Sequence, residues 1–256
     1  LNDLTLSAFL PTLDPLLVAS VAGIFLFAGV VKGFLGIGLP AAAMGLLTLI
    51  LPPTEAISLL WLPILFSNMF QFGRARGKAE IVQTYKWFAV AIFISIFITS
   101  IFINDYPTSL LTIAIGVAMV IFSLNLLFGV TLPVGPGPGW QVGVGVVSGI
   151  LGGLSSIWSP PVAMYLIARN VPKDTFIGAT GFLFLAGCFP LGAGLVISGL
   201  ITGTVLVKSL IGLAFTLAGF RIGEIMRNRV SQSHFRNIVL VAFLIMGGRL
   251  IAVGLF

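Results

Sequence analysis

Apolar stretches interrupted only by proline, glycine, asparagine or charge recur from one end of this chain to the other. They occupy roughly 15–31, 33–51, 55–72, 85–103 and 108–129, then 140–151, 153–168, 175–198, 201–223 and 235–256. A helix that crosses a bilayer needs ~20 predominantly apolar residues, whereas a helix on a soluble domain is apolar along one stripe. Only 8% of the 256 residues are charged, against roughly a quarter in soluble domains, so no polar shell can enclose these runs. The fold class is therefore an all-α polytopic membrane protein, with no length left for a soluble domain.

Between the fifth and sixth runs lies Leu132-Pro133-Val134-Gly135-Pro136-Gly137-Pro138-Gly139, whose three prolines each fix φ and remove a donor. The linker splits the chain into a first transmembrane repeat over 1–130, a Gly/Pro linker over 131–139 and a second repeat over 140–256. Features recur across it at a slowly drifting offset. Gly33 and Gly36 return as Gly149 and Gly152, Pro53-Thr54-Glu55 as Pro172-Lys173-Asp174, and Lys86 as Lys208. Because each half holds five segments, an odd number, two halves of one fold must sit in the membrane with opposite orientations, as in inverted-repeat transporters.

Loop charge supports the count. Arg74, Arg76, Lys78 and Lys86, then Arg169 and Lys173, then Arg221, Arg227, Arg229 and Arg236 all fall on one side, ten of the thirteen basic residues. Asp3, Asp14, Glu55 and Asp105 collect on the other. The basic side is expected to be cytoplasmic and both termini extracytoplasmic, in a multi-pass protein of the cell (inner) membrane. Charge parity does not separate two full crossings from a re-entrant hairpin at the start of each half; the short 140–151 run, ~18 Å as a helix, favours the hairpin. Leu1–Leu10 has Asp3 and no basic residue ahead of its apolar stretch, so it is expected to be mature chain.

The chemistry concentrates at two breaks. Lys32-Gly33-Phe34-Leu35-Gly36-Ile37-Gly38-Leu39-Pro40 precedes an alanine-rich helical run, and Gly149-Ile150-Leu151-Gly152-Gly153-Leu154-Ser155-Ser156-Ile157-Trp158-Ser159-Pro160-Pro161 stands at the same place in the second half. A glycine-rich entry into a helix leaves backbone N–H groups uncovered and carries partial positive charge, which suits an anion. Gly33, Gly36, Gly38, Gly152 and Gly153 are candidate N–H donors, Ser155 and Ser156 hydroxyl donors, and Lys32 the countercharge. In an inverted repeat the two starts would face each other near the midplane. Glycines in membrane helices also permit close packing, the competing explanation for any one of them.

The glycine-rich break opening each half, the two-half layout and the length resemble the TauE/SafE family of membrane transporters, over nearly the whole chain. That resemblance implies transport of sulfite, sulfoacetate and related organic anions. Leu39-Pro40 stands where the family would carry further glycine, and Lys32 where a small residue is common. A lysine there suits a larger or more highly charged anion than sulfite.

Elsewhere, Asn68 and Gln71 share one face of the third segment beside Ser67 and could line a substrate path. Gln71, near the segment end, is expected to meet water. Lys86 and Lys208 read as interfacial anchors, Arg249 as a snorkelling side chain, and Trp87 and Trp140 as aromatic-belt residues. One cysteine (Cys188) and one histidine (His234) offer no disulfide framework, metal cluster or redox pair, and the dispersed basic residues do not read as a nucleic-acid surface. Gly153-Leu154-Ser155-Ser156-Ile157 lacks the second glycine of a nucleophile elbow, and no phosphate-loop lysine motif occurs. The expectation is a non-enzymatic secondary transporter or permease for small anions, in contact with the lipid bilayer, needing no cofactor and free to form a homo-oligomer. A passive anion channel or a membrane-embedded scaffold subunit is the alternative.

Overall fold

The computed structural model describes residues 14–129, 133–135, 137–227, 229 and 232–256. Asp3, the leading apolar stretch and part of the linker lie outside the described residues. Among the described residues ten helices follow in order: α1 (Pro15–Leu35), α2 (Leu39–Leu47), α3 (Pro53–Gly73), α4 (Lys78–Ile101), α5 (Thr108–Phe128), α6 (Pro138–Ser155), α7 (Ser159–Ala168), α8 (Lys173–Ile197), α9 (Gly203–Met226) and α10 (Gln232–Leu255). Each predicted run holds one helix. The differences lie at the breaks, where α1 and α6 run on to Leu35 and Ser155, past the expected ends at 31 and 151, and at the basic loops, where α4 begins at Lys78 instead of 85 and α9 runs on to Met226 instead of 223.

Seven helices, α1, α3, α4, α5, α8, α9 and α10, are long and apolar enough to cross a bilayer. The others are shorter or glycine-rich: α2 has 9 residues and α7 has 10, half a span each. Large apolar side chains such as Ile94, Ile98, Val147, Leu210, Ile238 and Ile245 point outward. The polar residues Lys32, Ser67, Asn68, Ser156 and Ser159 are buried. The core is apolar as in a soluble protein, but the outer face is apolar too, which fits a lipid surround.

Small residues set the closest helix pairs. Gly29 and Gly33 of α1 lie against Thr216 and Phe220 of α9, and Gly149 and Gly153 of α6 against Ser95 and Thr99 of α4. In both pairs residue numbers rise together, so the helices are parallel. Glu55 and Leu59 of α3 meet Lys208 and Ser209 of α9, again in parallel. Gly178, Gly187 and Gly194 of α8 meet Ile81, Ile96 and Ser100 of α4 in the same sense. By contrast α3 and α8 are antiparallel, with Trp61 donating to the Cys188 carbonyl and Gln71 to that of Ile177. So are α5 and α10, where Gly116 meets Gly247 and Phe122 meets Phe243.

These directions bring the ends of α3 and α9 and the starts of α4 and α8 to one end of the bundle. Arg74, Arg76, Lys78, Lys173, Arg221 and Arg227 gather there, and Arg74 and Arg221 both pair with Glu224 at 3.1 Å. At the opposite end Lys208 pairs with Glu55 at 2.9 Å and Asn104 donates to the Ser198 carbonyl. Lys208 is thus held by a carboxylate of the other half, whereas Lys86, near the Trp87 ring, is exposed as an interfacial anchor should be.

Candidate functional site

The two breaks are built alike. Gly36 ends α1 in the left-handed region, φ 83°, and its N–H donates to the Lys32 carbonyl. Ser156 ends α6 in the same region, φ 59°, and its N–H donates to the Gly152 carbonyl. Both chains then fold back along the helix they have left. Gly38, φ 97°, returns to the level of Val31, and Trp158 to that of Ser148, whose hydroxyl donates to the Trp158 carbonyl at 2.5 Å. The equivalent caps are 120 residues apart, so Gly36 matches Ser156 rather than Gly152. The same step relates Gly29 to Gly149, Gly33 to Gly153, Ile37 to Ile157 and Pro40 to Pro160.

Helices α2 and α7 start at these folded-back points, and neither start has a side-chain cap. Both line one small cavity of about 10 Å³, with Gly38, Leu39 and Pro40 from the first break and Trp158 and Ser159 from the second. Lys32, Ile37, Ile64, Asn68 and Phe184 complete it. Gly38 and Trp158, Leu39 and Ser159, and Ile64 and Phe184 are each 120 apart, so the cavity lies where the two halves exchange. It has room for about one water.

Lys32 reaches this cavity from the last turn of α1, where a cation also complements the helix dipole. It is 3% exposed and donates to Ser67 Oγ at 3.1 Å and to Asn68 Oδ1. Both partners are neutral. Across the cavity, Trp158 Nε1 and Ser159 Oγ are buried without a hydrogen-bond partner. An indole N–H can only donate, and a buried donor left unmade costs roughly 1–3 kcal/mol. The cavity lining therefore combines an ammonium bonded to two neutral acceptors with an indole N–H and a hydroxyl that have no partner.

The sequence candidates divide. Lys32, Gly38 and Asn68 line the cavity. Gly33, Gly152 and Gly153 lie within helices and admit close neighbours: Phe220 against Gly33, Trp158 against Gly152 and Thr99 against Gly153. Gly36 spends its N–H on the α1 cap. Ser155 donates to the Leu151 carbonyl at 2.6 Å and accepts from Ile157 N–H at 3.0 Å, while Ser156 is buried with an unpartnered hydroxyl. Gln71 does not meet water: it is 6% exposed and clasps α3 to α8 through Ile177 and Thr180. Ser67, Trp158, Ser159 and Phe184 were not singled out by sequence, although Ser67 and Ser159 sit beside residues that were.

Long apolar helices around a buried polar cavity define a polytopic α-helical membrane protein. Residues 21–250 match the family model described as Sulfite exporter TauE/SafE, so the chain belongs to that family of membrane transporters. No curated protein and no solved structure matches it.

Proposed function

We propose that this protein is a secondary transporter for small anions, of the sulfite, sulfonate or carboxylate type, and that the cavity at the two breaks is its binding site. The observation that carries the reading is that Lys32 lines one cavity with two buried unpartnered donors, Trp158 Nε1 and Ser159 Oγ, and with no carboxylate among the described lining residues. An oxyanion supplies several acceptor oxygens and a charge to balance the ammonium at once. Asn68 and Ser67 orient Lys32; Gly38 allows the chain to approach without a side chain.

Alternating access between inverted halves, residues 1–130 and 140–256 joined through 131–139, supplies the mechanism. Its support is that each helix of the first half and its counterpart 120-odd residues later run in opposite directions, as α3 with α8 and α5 with α10 do in direct contact. The glycine-bearing hairpins α1–α2 and α6–α7 would be the elements that separate, because a cavity with room for one water admits an anion only when they part. The same constriction disfavours a permanently open channel. By the positive-inside rule the end bearing Arg74, Lys173 and Arg227 faces the cytoplasm of a cell membrane and both termini face away from it.

Counterflow in proteoliposomes tests the mechanism: unlabelled sulfite inside should accelerate uptake of labelled sulfite. Uptake indifferent to the trans anion would establish a channel instead.

A further inference from the structure

We infer that the basic end holds a second anion site, in series with the axial cavity and separated from it by one side chain, Ile37. The inference rests on the transporter reading above. A cavity of about 440 Å³ opens there, lined by Lys173 at the start of α8, Arg227 after α9 and Arg236 in α10. Its walls are Phe34, Phe176 and Ile177, and Ile37 forms the floor shared with the axial cavity.

No acidic residue is among the described lining residues. Asp174, next to Lys173, lines a neighbouring cavity with Arg74 and Arg76, and Glu224 is taken by Arg74 and Arg221. Arg227 is fixed in place, donating from Nε to the Phe34 carbonyl at 2.8 Å and from Nη2 to that of Gly33 at 2.6 Å. Three cations thus face one concavity, which concentrates anions relative to bulk solvent. The aromatic and aliphatic walls add affinity for an apolar tail, and the volume falls in the range of small-molecule sites. The ligand class is a soluble oxyanion with a short apolar tail, such as an organic sulfonate, captured before Ile37 moves aside.

A reporter cysteine tests this in neutral-lipid nanodiscs. Phe176→Cys is labelled with a sulfonate-bearing methanethiosulfonate and with its trimethylammonium counterpart, each rate divided by that with a free thiol in solution. Wild type, whose Cys188 is buried, sets the background. The anionic reagent should be favoured about tenfold, falling below about threefold when Lys173→Gln and Arg236→Gln are added and again at high salt. Benzenesulfonate should slow the labelling. A ratio near one, or one untouched by the two glutamines, overturns the inference. So does protection that appears only when phosphatidylglycerol is added, since the ligand is then a lipid headgroup. Lys32→Ala should leave the labelling ratio unchanged while weakening axial binding about 100-fold, so the two sites fail separately.

Discussion

The two breaks share a left-handed cap at Gly36 and Ser156, then part, Gly38 at φ 97° against Trp158 at φ −98°, and differ in nearly every side chain that lines the cavity. Gly36-Ile37-Gly38-Leu39 turns with two glycines in the left-handed region and brings only apolar groups, its polarity coming from Lys32 four residues upstream. Ser156-Ile157-Trp158-Ser159 makes the equivalent turn with a serine in the left-handed region and places an indole N–H and a hydroxyl on the wall. Position 152, which matches Lys32, is glycine, and its missing side chain is filled by Trp158. The cavity is thus asymmetric: Lys32 comes from the first break and the unpartnered neutral donors from the second. In the reading proposed above, affinity for an anion depends on that divergence.

The largest effect tests the shared frame. Gly33→Leu and Gly153→Leu each drive a side chain into a neighbouring helix, the first onto the Phe220 backbone and the second onto Thr99. Neither the Phe220 backbone nor the Cβ of Thr99 can yield cheaply, so both should cost roughly 3 kcal/mol or more and remove the monodisperse species in size-exclusion chromatography. Tolerance of one but not the other would break the equivalence of the α1–α9 and α6–α4 contacts.

Next comes the charge. Lys32→Ala should weaken sulfite binding about 100-fold, the scale seen when one partner of a buried charged contact is removed. The ligand-free protein should melt no lower than wild type, because a buried ammonium bonded only to neutral groups contributes little net stability. Thermal shift with and without sulfite reads both quantities; unchanged ligand stabilisation would remove Lys32 from the site.

Trp158→Phe probes the neutral half of the wall. Phenylalanine leaves a ring beside Phe184, which Trp158 meets edge-on at 6.1 Å between ring centroids, and loses the N–H together with the volume of the second ring. About tenfold weaker binding is expected, with the melting temperature lowered, since the cavity left at a fully buried tryptophan outweighs the removal of an unpartnered donor. A loss as large as that of Lys32→Ala would mean that the ring positions the hairpin instead of the anion.

Much of this was legible in the chain, and the reason is that lipid enforces it. Every crossing needs a long apolar run, so ten helices and the break in each half could be read from punctuation alone. Glycine was harder, because the residue serves two ends in a membrane: it bares an amide, or it lets a second helix approach. Gly38 does the first and Gly33 and Gly153 the second, and only the identity of the partner helix, far away in sequence, tells them apart. With 31 glycines in the chain, matching glycine to glycine also set the offset at the break to 116, whereas the cap geometry, satisfied by Ser156, sets it to 120. Trp158 carried no signal of its own. An indole in an apolar run reads as packing until the structure shows it lining a cavity with Lys32, its N–H unpartnered.

The smallest effect separates backbone from ligand at the second break. Ser156 holds φ 59° where its counterpart Gly36 holds 83°, and a non-glycine residue in the left-handed region costs about 1 kcal/mol. Its hydroxyl is also buried without a partner, a second cost of similar size. Ser156→Gly should therefore raise ligand-free stability by about 1 kcal/mol, and Gly36→Ser should lower it by about as much. The Gly36 cost would come from the backbone alone, because a Cβ there meets only Arg227 Nη2 at 3.9 Å. The informative arm is the first one repeated with sulfite present. If the hydroxyl is retained for the ligand, the glycine variant gains stability when empty and loses part of that gain on adding anion. If it gains equally in both, Ser156 is only a strained cap outside the cavity that Trp158 and Ser159 line.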